Sequence, residues 1–115
     1  MTQDWLADDT EIERRLRSRL WELERLSQDS GESRAAVELD QTRVGRLSRM
    51  DALQGQAMAQ ATEARRQQEI RRLEAALQRL ADGEYGACTV CGEEIAPKRL
   101  GLDPATPSCV DCAAG

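Results

Sequence analysis

The sequence predicts a mainly α-helical protein: a long antiparallel helical hairpin of the coiled-coil type, followed by a small C-terminal four-cysteine zinc finger. Leu and Ala, which are strong helix formers, dominate the apolar residues, whereas aromatic residues make up only 3% of the chain. Apolar residues recur at helical spacing over most of residues 1–82, and all four cysteines lie in residues 83–115. We therefore predict a domain boundary between residues 82 and 83.

The first helix is predicted to begin at the candidate N-caps Asp8, Asp9 and Thr10. Its apolar stripe, at steps of four and three residues, consists of Ile12, Leu16, Leu20, Leu23 and Leu26. The segment SQDSGES that follows is rich in turn-forming residues and indicates a loop.

The second helix is predicted to run from Asp40, a good N-cap residue, to the Asp82-Gly83 pair. Its apolar positions are Val44, Leu47, Met50, Leu53, Ala57, Ala61, Ala64, Ile70, Leu73, Leu77 and Leu80. Gly45 and Gly55 interrupt it, either as tolerated surface positions or, near residue 45, as a bend or a close contact with a partner. Turn chemistry favours a loop over 28–39, whereas arms of equal length would put the apex at residue 46. The tip is therefore predicted around 28–51.

The net charge of −5 is unevenly distributed along the chain. Residues 1–40 carry −5, residues 41–81 carry +4, and residues 82–115 carry −4. None of these segments has the strongly basic character of a DNA-binding module, so we expect no sequence-specific DNA binding. The acidic N-terminal stretch lacks the apolar region of a signal peptide, and no membrane span is predicted. We expect a cytoplasmic protein, where paired cysteines bind metal more often than they form disulfides.

The cysteine spacing is C-x2-C-x17-C-x2-C, formed by Cys88, Cys91, Cys109 and Cys112. Two such turns can direct four thiolates at one tetrahedral zinc ion. Because the chain has no histidine, a protein-only site would use all four sulfurs, which predicts one structural zinc without an open coordination position. A redox CxxC pair, two disulfides or an iron–sulfur cluster remain as weaker alternatives. Ile95, Leu100 and Leu102 are predicted to form a miniature core beside the metal.

The C-terminal segment closely resembles the zinc finger of the DksA/TraR family. The shared pattern is G-x-[YF]-G-x-C-x-x-C-G-x-x-I, then R-L, a Pro and a final C-x-x-C. It is carried here by Gly83, Tyr85, Gly86, Cys88, Cys91, Gly92, Ile95, Arg99, Leu100, Pro104, Cys109 and Cys112.

The resemblance implies a bacterial transcription regulator that binds RNA polymerase directly and not DNA. It implies a hairpin inserted in the secondary channel, with acidic tip residues near the catalytic centre and stringent-response control through the alarmone ppGpp. The family's tip pattern D-x-x-D-x-A is absent, so the candidate tip residues are Asp40 or the pair Asp51-Ala52.

Two departures concern the alarmone. The chain stops three residues after Cys112, and a residue that is often basic in the family is Asp103 here. The candidate alarmone contacts are therefore Arg65 and Arg72 on the second helix.

Other functional classes remain as alternatives. A zinc-ribbon adaptor could bind nucleic acid or protein without insertion into a polymerase channel. The apolar stripes would also serve a homodimeric coiled coil, although we expect a monomer. A redox switch would use the thiolates. Since no nucleophile–base arrangement is present, we expect no enzymatic activity.

Overall fold

The computed structural model describes residues 4–41 and 46–114, and between residues 31 and 48 it describes only the helical backbone. A single 3₁₀ turn, Asp4–Ala7, precedes the first long helix. The helices are α1 (Asp9–Gln41), α2 (Arg46–Ala81), α3 (Pro97–Leu102) and α4 (Val110–Ala114). Within the described ranges the only extended pairing is an isolated antiparallel bridge between Ala87 and Glu94. The predicted fold class, a long helix pair with a small four-cysteine module, is confirmed.

The loop predicted over 28–39 is wrong, because α1 continues through it to Gln41. Asp40 consequently lies near the end of α1 and is not the N-cap of the second helix. Extending an existing helix adds one hydrogen bond per residue, which outweighs the cost of about 1 kcal/mol for the single Gly31. The helix-forming residues after Gly31 then maintain α1. The side chain of Asp40 lies outside the described residues, as do Val44 and Gly45.

The second long helix begins at Arg46, later than predicted, and ends as expected before Gly83. The amide of Gly83 donates to the carbonyl of Leu80 at 3.2 Å, and the amide of Glu84 donates to Arg79 at 2.8 Å. This is a Schellman C-cap, whose left-handed position is taken by Gly83 with φ of 76°. Within α2, a Cβ on Gly55 would meet nothing within 4 Å. Gly55 is therefore a tolerated surface position.

The chain divides into two compact units, the first comprising Met1–Trp21 and Arg71–Gly115. The Asp8 carboxylate accepts a hydrogen bond from the Thr10 amide at 3.0 Å, so Asp8 is the N-cap of α1. Trp5 is buried, and the Arg15 guanidinium lies 4.5 Å from the centroid of its ring. On α1 and α2, the buried side chains described in this unit are Ile12, Leu16, Leu73 and Ala76.

The second unit, Glu22–Ile70, has a partly polar interior. Ser27 is half-buried, whereas the predicted stripe residue Leu26 is 43% exposed. On α2 the half-buried positions follow a heptad spacing of four and three residues: Ala52, Gln56, Ala59, Glu63 and Arg66. The stripe predicted for this part of α2 is wrong, since it faces solvent at Met50, Leu53, Ala57, Ala61 and Ala64.

None of the described helices combines the length and the apolar character that crossing a membrane requires.

Candidate metal centre and the surrounding finger

The four cysteines converge at one point of the first unit. Their sulfur atoms all lie within 4.8 Å of one another, and none is disulfide bonded. A tetrahedral zinc ion with bonds of about 2.3 Å requires sulfur–sulfur separations of about 3.8 Å. The sulfurs of Cys91 and Cys109, one from each CxxC pair, are 3.8 Å apart. The donor set and its spacing therefore fit one zinc ion held by Cys88, Cys91, Cys109 and Cys112.

Local turns aim the first pair of sulfurs inward. The amide of Gly92 donates to the carbonyl of Cys88 at 2.9 Å, which closes a turn around the pair. Gly92 has φ of 77°, a left-handed conformation that a residue with a Cβ rarely adopts. The amide of Val90 lies 3.4 Å from the Cys88 sulfur and donates to it. The sequence pattern C-x-x-C-G thus specifies this turn directly.

The electrostatics of the cluster favour a bound cation. Backbone amide donors, that of Cys91 first and that of Cys109 next, lower the pKa of the Cys88 thiol to about 6. Hydrogen bonds with the neighbouring thiols, that of Cys109 first, raise the pKa of Cys112 to about 12. One thiolate is therefore readily formed, whereas further ionisation accumulates negative charge. A divalent cation offsets that charge and allows all four sulfurs to be thiolates.

A miniature core packs against the metal site. Cys88, Ile95 and Leu100 are buried together, and Leu6 and Tyr85 pack against them. The prediction for Leu102 is wrong, because its side chain is 90% exposed. Leu102 lies two positions after Leu100 in α3, and two helical residues differ by about 200° around the axis, so only one can face inward. Ala105 and Thr106 are buried instead.

Hydrogen bonds between the two cysteine pairs complete the finger. The amide of Thr89 donates to the carbonyl of Pro107 at 2.9 Å, and Arg99 Nε donates to the carbonyl of Ser108 at 2.9 Å. The hydroxyl of Tyr85 donates to the carbonyl of Pro104 at 2.7 Å. The pKa of Tyr85 is raised to about 12, and the largest cause is burial of the phenol. The motif residues Tyr85 and Arg99 therefore stabilise the finger through hydrogen bonds to the segment before the second cysteine pair.

The other predicted site residues with described side chains do not belong to the four-cysteine cluster. Asp51 is exposed and Ala52 half-buried near the start of α2, and Arg65 is exposed farther along the same helix. Arg72 Nη2 donates to Asp103 Oδ2 at 2.5 Å. Asp40, the other tip candidate, has no described side chain.

Sequence reasoning missed a polar cluster inside the second unit. Gln67 Nε2 donates to Ser27 Oγ at 3.2 Å and to Glu63 Oε1 at 2.9 Å. Arg66 Nη1 contacts Glu63 Oε2 at 2.5 Å, and both side chains are less than 20% exposed. Hydrogen bonds from Gln67 first, then Ser27, and from Arg66 lower the pKa of Glu63 to about 2. The heptad spacing that Glu63 and Arg66 share with other half-buried positions of α2 was the available signal.

Comparison with known proteins supports the assignment of the four-cysteine zinc site. Residues 83–115 match the family model described as the prokaryotic dksA/traR C4-type zinc finger. A 43-residue segment is 40% identical to the RNA polymerase-binding transcription factor DksA of Haemophilus influenzae, and it covers 37% of this chain and 30% of that protein. An uncharacterized protein of Aquifex aeolicus is 43% identical over 44 residues, or 38% of this chain and 30% of that protein. The matched segments thus span less than a third of the length of these curated relatives.

The fold has a counterpart among solved structures. Transcription factor DksA2 from Pseudomonas aeruginosa superposes with a TM-score of 0.82, covering 94% of this chain and 81% of that one. The two sequences are 21% identical, so this likeness concerns the fold. Fold and site together define a helical-hairpin protein with a C4-type zinc finger that holds one structural zinc ion. The finger of this chain, residues 83–115, is similar to the C4-type zinc finger of the dksA/traR family.

Proposed function

We propose that this chain is a non-enzymatic transcription regulator that binds bacterial RNA polymerase directly. The observation that carries the proposal is the presence, in one chain, of a dksA/traR finger and two helices of 33 and 36 residues. The DksA of Haemophilus influenzae, whose name states RNA polymerase binding, is 40% identical to this chain over 43 residues. The exposed acidic side chains disfavour a nucleic-acid partner, as does the packing of Tyr85, the one aromatic residue of residues 83–115, against the finger core.

The helical hairpin inserts into the secondary channel in this proposal, and its tip acts near the catalytic centre. Asp51 supports this role because it is exposed between two exposed apolar residues, Met50 and Leu53. Exposed apolar side chains beside a carboxylate are typical of a surface that contacts another protein. A carboxylate near a catalytic Mg²⁺ perturbs its coordination or the mobile elements around it. Asp40 remains a second candidate.

We further propose that the regulator acts in ppGpp-linked, stringent-response control of promoters. Arg65 and Arg72 are the candidate ppGpp contacts, but the carboxylate of Asp103 already pairs with Arg72. An anionic effector must compete with this internal carboxylate. We therefore expect a weak response to ppGpp, with Arg65 providing the exposed cation.

The decisive experiment measures binding of the zinc-loaded protein to bacterial RNA polymerase, with a known secondary-channel factor as competitor. Binding that the competitor removes supports both the partner and the channel. Binding that the competitor leaves intact contradicts channel insertion and favours the adaptor function. Absence of binding contradicts the whole proposal.

Tip action is tested separately with Asp51→Asn, Asp40→Asn and the double variant. We expect at least one of them to abolish the effect on transcription while polymerase binding persists. Glu74→Gln is the control, because Glu74 is also an exposed acid on α2 but lies far along the helix. Wild-type activity in all three tip variants would contradict the mechanism.

A further inference from the structure

An open groove of about 540 Å³ lies on the finger beside α3, and we call it the finger groove. Two of its lining side chains are exposed aliphatics, Leu102 at 90% and Val110 at 58%. Ala96 and Pro107 extend this apolar surface. Burial of such side chains is favourable in proportion to the apolar area removed from water, so this surface gains from a protein contact.

The charge around the finger groove is opposite to that of the rest of the segment. Residues 82–115 carry −4, and their only basic residues are Lys98 and Arg99. Both line the finger groove, together with the ion-paired Arg72 and Asp103, so the groove keeps an excess of positive charge through Lys98 and Arg99. The acidic side chains of Glu84, Glu93 and Glu94 are exposed. An acidic partner is therefore attracted to the finger groove and repelled by the acidic side chains elsewhere on the segment.

We infer that the finger groove docks an acidic segment of RNA polymerase that presents one large aliphatic or aromatic side chain. This inference rests on the proposed function and adds a contact separate from the tip. The apolar side chain packs between Leu102 and Val110, and carboxylates beside it pair with Lys98 and Arg99. The groove contact supplies affinity and orientation, whereas the tip supplies the effect on transcription.

The chain offers a matched pair of variants. Val110 and Val90 are both exposed valines inside CxxC turns, at 58% and 74%, but only Val110 lines the finger groove. A buried apolar anchor is the kind of residue whose loss weakens binding most. We expect Val110→Glu to weaken polymerase binding by at least about tenfold, and Val90→Glu to change it by less than about twofold. Lys98→Glu weakens binding as well, and most strongly at low salt.

The experiment measures the dissociation constant for RNA polymerase at two salt concentrations, with zinc content determined for each variant. If Val110→Glu loses zinc, Leu102→Glu decides the matter, because Leu102 lies outside both CxxC turns. If the wild-type protein binds polymerase and the zinc-loaded groove variant binds it with the same affinity, the groove contact is wrong but the proposed function stands. Failure of the wild-type protein to bind overturns the groove and the proposed function together. If the protein binds DNA, and Lys98→Glu abolishes this binding whereas Val110→Glu does not, the groove binds phosphate and the proposed polymerase contact is wrong.

Discussion

Arg72 and Asp103 form an ion pair of 2.5 Å that joins the final part of α2 to the residue after α3. The other oxygen of Asp103 accepts a hydrogen bond from the amide of Ala105 at 3.2 Å. The carboxylate is thus held from two sides. Asp103 therefore engages Arg72, one of the two arginines proposed as ppGpp contacts.

We predict that Asp103→Asn increases the affinity for ppGpp, because it removes the carboxylate that competes for Arg72. The two side chains are 38% and 45% exposed, so the loss of unfolding free energy is under about 1 kcal/mol. Calorimetric titration with ppGpp and thermal denaturation measure the two effects. Glu84→Gln, a change at an exposed acid of the same segment, is the control. Equal ppGpp affinity in Asp103→Asn and the wild type would refute this role of the pair.

Removal of zinc is predicted to unfold the finger, since so small a core depends on metal binding for its folding energy. Chelation or Cys91→Ser should reduce the zinc content well below one ion per chain. Amide hydrogen exchange at Cys88 and Thr89, whose amides donate to Glu93 and Pro107, should become fast. Val90→Ala, a change within the same turn, should leave both readouts near wild type. Persistent protection of the two amides after zinc loss would contradict this dependence.

Glu63 is predicted to make the second unit sensitive to acid. Its pKa is lowered from 4.5 to about 2, so its ionised form is favoured by folding. This contribution is fully present above pH 4.5 and is lost as the pH falls from 4.5 towards 2. Glu63→Gln should lower the unfolding free energy by about 1–2 kcal/mol at neutral pH and flatten the acid limb.

The measurement is chemical denaturation between pH 2 and 7, with Glu24→Gln as an exposed control on α1. If the Glu63→Gln variant and the wild type lost the same stability on acidification, the pKa of Glu63 would not differ between the folded and unfolded states.

Two glycines are predicted to respond in opposite directions to substitution by alanine. Gly55→Ala should raise the unfolding free energy by about 0.5–1 kcal/mol, because Gly55 is helical and its Cβ would project into open space. Gly83→Ala should lower it by about 1 kcal/mol, because φ of 76° disfavours any residue with a Cβ. Thermal denaturation of both variants is the measurement. A melting temperature that falls in Gly55→Ala would indicate an unrecognised contact.

The sequence by itself determined the features that depend on local spacing and local chemistry. The two CxxC pairs indicated the metal site, Asp8 the start of α1, and Gly83 the end of α2. Each depends on residues within a few positions of one another, so its physical cause can be read directly from the chain. Their position between the cysteine pairs also placed Ile95 and Leu100 correctly in the small core, but it did not exclude Leu102, which is exposed.

Tertiary structure decided which of several acceptable local patterns prevailed. Turn-forming residues at 28–33 favoured a loop, but the cooperative extension of α1 carried the helix through them. Apolar periodicity did not reveal that Glu63 and Gln67 face inward with Ser27, because only a specific packing satisfies their hydrogen bonds. Nor did it reveal the meeting of Arg72 and Asp103, which lie 31 residues apart in the chain. Contacts between distant segments depend on how the segments pack, and local sequence does not encode that.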